Sequence, residues 1–498
     1  MRKSAIVCVS FIASLMLTHY IGKVAFFALC LAAVLGVAVL LILKKSSSFL
    51  ALCACAMIIG NLIMGAIDTR FEYLRKRYDG VSCEGQVKAL EVLDSSRAYV
   101  EVKSLEGVKQ GAYFKLLCTF DKDTLIQKGD LIEAKFYIYK LEDSESFPTR
   151  LYNEGKGTVL KARAYNASLV SSSAIWSFHS NLTSYIESVF DEYLGEFSNL
   201  AKGLFLGSKS ALDDEQKDEL SSLGIIHVLS VSGLHFALLI GIFSAVLNAI
   251  GLHKITSCTV VALFSLFYMF LTGFSPSVCR AGIMTFFVLF DFVLRKSPDK
   301  LTTLSITGVL MCLAEPCAAI NLSFQLSFLA TFGLIAASNS ISFPLSIELE
   351  GKPLGKSVQK LLQGVVFSLC AMFFCLAPIS HSFKSISLLA PAGNLICTPF
   401  AELLLAFSFI LIPLSILPHL AGLWGLICQG VGYAFTFLCD ALNNEHFALM
   451  LDSAVFTAAS AVLTGFCVLT FLLPLKNKKT TLLVFITGSA ALILVCSL

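Results

Sequence analysis

Hydrophobic and polar positions follow two different periods along this chain. Uncharged apolar runs near residues 4–21, 24–43 and 49–67 open it, each close to the roughly 20 residues that cross a bilayer as a helix. From Val81 to Val170 the pattern turns to near alternation in VSCEGQVKALEVL, AYVEVKSL, AYFKLLCTF, DLIEAKFYIYKL and TVLKARAYNASLV. Turn signals at Glu106-Gly107, Gln110-Gly111 and Lys128-Gly129-Asp130 separate several of these runs. Short strands packed into so small a window predict an inserted OB-like β-barrel domain. Ile175 to Leu194 then repeats apolar residues on one helical face, which predicts an amphipathic helix lying on the membrane surface or against the barrel. Further apolar runs fall near 255–274, 276–294, 301–317, 321–338, 361–380, 386–412, 422–440, 453–473 and 480–498. Together these predict a polytopic α-helical membrane protein of about 13 spans. Its parts are N-terminal transmembrane helices (1–68), an extracytoplasmic OB-like domain (69–170), the amphipathic helix (171–198) and a transmembrane domain (199–498).

The stretch from Gly203 to Gly241 carries the densest polar chemistry. A charged loop, Lys209 to Glu219, leads into an apolar segment holding His227, Ser230, Ser232, Gly233 and His235. Leu223 to Ile250 is over-long for one crossing, so its helix is either tilted or broken at Ser-Val-Ser-Gly. A break inside a membrane exposes backbone N–H groups that must line a cavity or a water path. A break at Gly233 would also aim a positive helix end at any anion there. Later runs add Arg280, Asp291, Gln325 and Asn394. A lone guanidinium within a span costs roughly 2.5–3.5 kcal/mol even on the lenient insertion scale, so Arg280 needs compensation. Asp291 lies three helical turns further on, on the same face but about 16 Å away, so the two share a stripe rather than pair. An arginine near the end of a span also snorkels outward, and a glutamine such as Gln325 equally serves to glue helices; both readings stay open.

Composition agrees with the membrane class. Hydrophobic residues make up 56% of the chain and charged ones 14%, with mean hydropathy +0.79, which excludes an ordinary soluble protein. Nearly half of the charged residues fall between Asp68 and Arg163, marking that window as the water-facing part. A net charge of +3 is too small to announce a nucleic-acid partner by itself. Lysines and aromatics nevertheless interleave in the window at Tyr99, Lys103, Tyr113, Lys115, Lys135 and Tyr137, the residue types that single-strand binders combine. Aromatic core residues of a barrel give the same pattern. Most of the 17 cysteines sit singly in apolar runs and read as small hydrophobes. No Cys/His spacing suits a metal, and no cofactor is implied. Cys83 and Cys118 form a candidate disulfide if the window faces an oxidising compartment. Arg2-Lys3 and Lys44-Lys45 place the N-terminus in the cytoplasm and the window outside. Basic residues at Lys254, Arg295, Lys300, Lys352, Lys356, Lys360 and Lys476 then all fall on the inner side.

The motifs as a set resemble the ComEC family of competence proteins. Leu206-Gly207, Leu223-Gly224, His227, Ser232-Gly233 and His235 match one family element. Phe274-Ser275-Pro276 with Arg280-Ala281 matches a second, Phe324-Gln325-Leu-Ser327-Phe a third, and Asn394 with Pro399 a fourth. Family members carry an OB-like domain at this position, and Phe147, Tyr152 and Gly155-Lys156-Gly157 resemble its closing segment. The resemblance implies a bacterial inner-membrane channel that passes single-stranded DNA inward during natural transformation. It implies as partners single-stranded DNA, the lipid bilayer, an external DNA receptor, a separate nuclease, and a cytoplasmic motor or strand-binding protein. His227, Ser230, Ser232, Gly233, His235, Arg280, Asp291, Gln325 and Asn394 are then candidates for the DNA path.

Two other functional classes are weaker. Many ComEC proteins continue into a metallo-β-lactamase-like domain with a His-x-His-x-Asp-His signature; the eight histidines here form no such cluster, so the expectation is transport without catalysis. Gly351-Lys-Pro-Leu-Gly355-Lys356-Ser357 imitates a phosphate loop, but Glu350 stands where the motif needs glycine. Ser230-Val-Ser232-Gly233 resembles the nucleophile motif of rhomboid intramembrane proteases, with serine replacing the first glycine and no suitably embedded later histidine. A transporter of another anionic polymer or lipid remains the alternative.

Overall fold

Alternation and helical periodicity sort into separate parts of the computed structural model. It describes residues 3–22, 48–94, 96–110, 114–121, 126–143, 148–207, 214–229, 231–295, 299–340, 348–349, 352–353, 356–443, 448–451, 453–472 and 478–497. Tyr113, Phe147, Ser230 and the apolar run at 24–43 lie outside these. Two compact units result, one of Lys3–Leu182 with Ser305–Phe324, the other chiefly of Thr183–Leu304 with Gln325–Leu498.

In the first unit α1 (Lys3–Ile21) packs along α2 (Ser48–Tyr78). A Cβ at Gly60 would collide with Ser14, and Asn61 Nδ2 donates to Thr18 Oγ1 at 3.2 Å, so a small residue and a polar pair set the approach. Strands β1 (Val81–Val92), β2 (Arg97–Leu105), β3 (Val108–Lys109), β4 (Lys115–Thr119), β5 (Leu131–Lys140) and β6 (Thr158–Ser171) follow, with the short helix α3 (Thr149–Glu154) before β6. The order is β1-β5-β6-β4-β2-β3, and β1 pairs with β2 as well as β5. Each of the five long strands therefore has two partners among the five, and β2 pairs with short β3 besides; β4 and β6 run parallel and the other pairs antiparallel. Alternation does the sorting: Ile132, Ala134, Phe136 and Ile138 of β5 point into the core with Val87, Val100, Val102, Leu116 and Leu160.

The candidate disulfide does not form. Cys83 and Cys118 are both free and buried, on β1 and β4, with β2 between them on one side and β5 and β6 on the other. Disulfides need Cα atoms within about 7 Å, more than adjacent strands span and less than this separation. Burial pushes both thiols up, leaving them unreactive core residues.

The second unit is helical. Its elements are α4 (Ala174–Leu194), entering through its C-terminal half, α5 (Ser198–Leu206), α6 (Asp214–Ser222), α7 (Gly233–Ala249), α8 (Lys254–Leu271), α9 (Pro276–Val293), α10 (Lys300–Ala314), which begins here, and α11 (Leu322–Ser340). After them come α12 (Lys356–Phe374), α13 (Leu376–Phe383), α14 (Ala390–Ile396), α15 (Thr398–Leu414), α16 (Pro418–Leu442), α17 (Ala454–Leu472) and α18 (Lys478–Ser497). One core gathers Phe205, Phe236, Phe264 and Tyr268, whose hydroxyl donates to the Phe205 carbonyl at 2.9 Å. Another gathers Phe332, Phe374, Phe471 and Phe485. Outward faces are also apolar, with Phe437 70% and Val462 71% exposed, as lipid-facing helices require.

Among the described residues seven helices are long and apolar enough to cross a membrane, or nine if each bent pair counts as one span. The chain is a multi-pass membrane protein. The expected count of about 13 also included the run at 24–43, which lies outside the described residues. The apolar runs at 361–380 and 386–412 are broken helices, bent by 58° between α12 and α13 and by 41° between α14 and α15. Gly233–Ala249 and Lys300–Ala314 are shorter than a crossing.

Candidate functional site

The over-long central segment is broken, not tilted. A 3-10 turn at Ile226–Leu229 ends before Ser232, and α7 starts afresh at Gly233. Ser232 caps it: Ser232 Oγ accepts from the His235 N–H at 3.1 Å, and the Ser232 N–H donates to His235 Nδ1 at 3.4 Å. Ser232 and His235 thus meet through backbone amides rather than as a nucleophile and its base. His235 is 1% exposed, while His227 lies exposed on the preceding turn.

Glycines let neighbouring segments close on this break. Gly207 is left-handed at the end of α5, and a Cβ there would come 3.2 Å from Val231. Gly393 of α14 faces the Leu223 carbonyl and the Ile225 side chain, where a Cβ would sit 3.1 and 2.9 Å away. At Gly233 itself a Cβ would fall onto the Arg280 guanidinium. The separated family motifs therefore meet in space: the Leu-Gly of α5, the cap of α7 and the arginine of α9.

Arg280 is 7% exposed. Its Nη1 donates to the Ser327 carbonyl and to Thr331 Oγ1 on α11, residues one helical turn apart. Its Nε is buried with no hydrogen-bond partner among the described residues, and no carboxylate pairs with it there. Asp291 is half-buried further along α9. Gln325 is buried two residues before Ser327, so it faces a different side of α11. Asn394 Nδ2 donates to Ser368 Oγ at 3.0 Å, while its buried Oδ1 has no partner among the described residues. The structure thus brings together Ser232, Gly233, His235 and Arg280.

Charge is handled differently in the first unit. Glu154, its side chain 5% exposed, accepts from His19 Nε2 at 3.1 Å, from Arg150 Nε at 2.8 Å and from Arg75. His19 Nδ1 meets Asp68 at 2.9 Å. Burial alone would push the Glu154 carboxyl up; the hydrogen bonds from His19 and Arg150 and the charge of Arg75 hold it instead at about 2. Lys115 Nζ reaches Glu315 at 2.6 Å, and Asn321 Nδ2 donates to the Gly155 carbonyl at 3.1 Å.

The strand-borne candidates divide in the same way. Tyr99 is buried under Lys156, whose Nζ lies 4.4 Å from the ring centroid, and its hydroxyl donates to Asn153 Oδ1 at 2.7 Å. Lys115 is taken up by Glu315, and Lys103 pairs with Glu101 at 2.7 Å. Lys135 is exposed near Glu84, and Tyr137 is 46% exposed.

A family model described as a competence protein matches residues 204–476, more than half of the 498 residues and all of the α7–α9–α11 site. The chain belongs to the competence protein family. ComE operon protein 3 of Bacillus subtilis is 26% identical over 216 residues, covering 43% of this chain and 25% of that protein. Recombination protein 2 of Haemophilus influenzae is 26% identical over 220 residues, 42% of this chain and 27% of its own. An uncharacterised Mycoplasma pneumoniae protein, the MG316 homolog, is 27% identical over 239 residues, 48% of this chain and 56% of its own. The chain thus matches between a quarter and about half of the length of these relatives. No solved structure gives a significant match.

Sequence reasoning did not identify Thr331 or the Glu154 cluster. Thr331 had a local signal, since it lies one helical turn beyond Ser327 of a family element. His19, Arg75 and Glu154 had none, because their meeting depends on tertiary packing alone.

Proposed function

We propose that this competence-family chain conducts single-stranded DNA across the bacterial inner membrane. In this reading the N-terminus is cytoplasmic and the five-strand domain, an OB-like barrel, lies outside. The ring of pairings with its one parallel pair supports the OB-like assignment. The observation that carries the function is the placement of Arg280. A buried guanidinium with no carboxylate partner among the described residues lies against the first residue of α7, where the helix already presents positive partial charge. Two positive groups at one point repel unless an anion visits, and a passing phosphodiester backbone supplies one charge per nucleotide.

The arrangement is closed in this conformation, with His235 and Arg280 both buried, so passage includes a step that uncovers Arg280. The reading assigns no catalytic step to this chain. An external DNA receptor, a separate nuclease, and a cytoplasmic motor or strand-binding protein complete the system. The test is a deletion strain scored separately for surface DNA binding and for transformation, complemented with the wild-type chain or with His235→Ala plus Arg280→Ala. The proposal expects surface binding to persist while transformation is lost in both the deletion and the double variant. Normal transformation without the chain would end it.

A further inference from the structure

Strands β5 and β6 carry on their outer face a ladder that joins the candidates Lys135 and Tyr137 to Tyr139, Lys161, Arg163 and Tyr165, which the sequence pattern did not single out. Tyr137 pairs across the strands with Arg163, Lys135 with Tyr165, and Tyr139 with Lys161. Each cross-strand pair thus sets one cation beside one ring. Tyr165 is 41% exposed, Lys135 and Arg163 are exposed, and Tyr139 and Lys161 are half-buried. The Tyr137 and Tyr139 rings lie 6.2 Å apart, and the Arg163 guanidinium sits 5.5 Å from the Tyr165 centroid. Among the described residues no carboxylate pairs with Lys161 or Arg163. The nearest acids on the same sheet face are Glu84, 3.8 Å from Lys135, and Glu133.

The opposite side of the ring is not available. Tyr99 alternates with inward-facing Ala98 and Val100, so it points outward from β2, yet Asn153 and Lys156 of the α3–β6 connection cover it. OB domains ordinarily bind oligonucleotides on the face of their second and third strands, here β2 and β4. That face carries the covering segment, which leaves the β5–β6 face open.

We infer that the outer face of β5 and β6 is a binding platform for single-stranded nucleic acid, with Tyr137 and Tyr165 stacking on bases and Lys135, Lys161 and Arg163 meeting phosphates. The chemistry selects this partner over a simple polyanion because rings with an aromatic face are interleaved with the charges. The inference rests on the proposed transport of single strands and adds where the strand is received.

The test is fluorescence anisotropy with the full chain in detergent and a labelled oligothymidylate of about twenty nucleotides. Tyr137→Ser plus Tyr165→Ser is expected to weaken binding about 25-fold, taking about fivefold per lost stacking ring, with an unchanged melting temperature. Tyr137→Phe plus Tyr165→Phe keeps the rings and is expected to bind as wild type. Arg163→Gln is expected to lower the slope of log affinity against log salt by about 0.7. Tyr99→Phe is expected to change nothing. An abasic chain of equal length should bind at least tenfold more weakly than oligothymidylate (roughly the loss of two stacked bases). Wild type failing to bind, the serine pair binding within twofold of it, or the abasic chain binding equally would each overturn the platform. None of those results bears on transformation in the deletion strain, so the platform and the transport reading fail separately.

Discussion

Glu154 and Arg280 are both buried charges, and the protein treats them in opposite ways. Three cationic side chains converge on Glu154, whereas among the described residues Arg280 is met by one carbonyl and one hydroxyl and keeps a buried Nε unpaired. A charge neutralised by neighbours belongs to the architecture, because removing it strands its partners. A charge left unneutralised at a helix N-terminus contributes little to folding and is kept for a counter-charge that comes and goes. On the proposed transport reading, the contrast separates a charge that holds the shape of the molecule from one that meets cargo.

The comparison can be broken most readily at the compensated site. Glu154→Gln leaves His19, Arg75 and Arg150 without their carboxylate and is expected to destabilise the protein by about 3 kcal/mol, the low end for a buried pair because Arg150 is half exposed. Thermal melting in detergent measures it, and a negligible change would make the cluster an ordinary surface group. Acid sharpens the same point. Folding lowers the Glu154 carboxyl from its ordinary 4.5 to about 2, so its stabilisation is complete above pH 4.5 and lost as pH falls toward 2. The wild-type melting temperature should therefore drop over that interval more steeply than that of Glu154→Gln; parallel profiles would refute the assignment.

Smaller effects are expected at the uncompensated site. Gly233→Ala drives a methyl group into the Arg280 guanidinium and should cost about 1–3 kcal/mol by overpacking, with a matching loss of transformation. Ser232→Ala removes the cap of α7 and should cost about 1 kcal/mol, read by the same melting assay. A larger loss from Ser232→Ala than from Glu154→Gln would invert the comparison.

How much of this was legible beforehand follows from which interactions are local. The strands of the first unit announced themselves because period two and burial coincide, as in the alternation of β5. The break before Gly233 was readable as one of two options, since length and a Ser-Val-Ser-Gly cluster mark it. The bends at Cys375 and Cys397 were not, because the runs stay apolar on both sides of them. Tyr99 and Lys115 have the right chemistry for a nucleic-acid contact, yet the connection from α3 covers one and Glu315 occupies the other. Arg163 and Tyr165 sit in a run of strand whose register with β5 only the fold reveals.

The central claim is that Arg280 serves cargo and not shape, and Arg280→Met tests it most directly, because methionine approximates the volume without the charge. Melting temperature and labelled-DNA uptake are measured on the same variant. The account predicts stability equal to or above wild type, as replacing a buried charge by a packed apolar group allows. It also predicts an uptake loss of roughly 10–100-fold, the worth of charge-assisted hydrogen bonds to phosphate. Uptake near wild type, or a loss of stability large enough to account for the missing uptake, would contradict it.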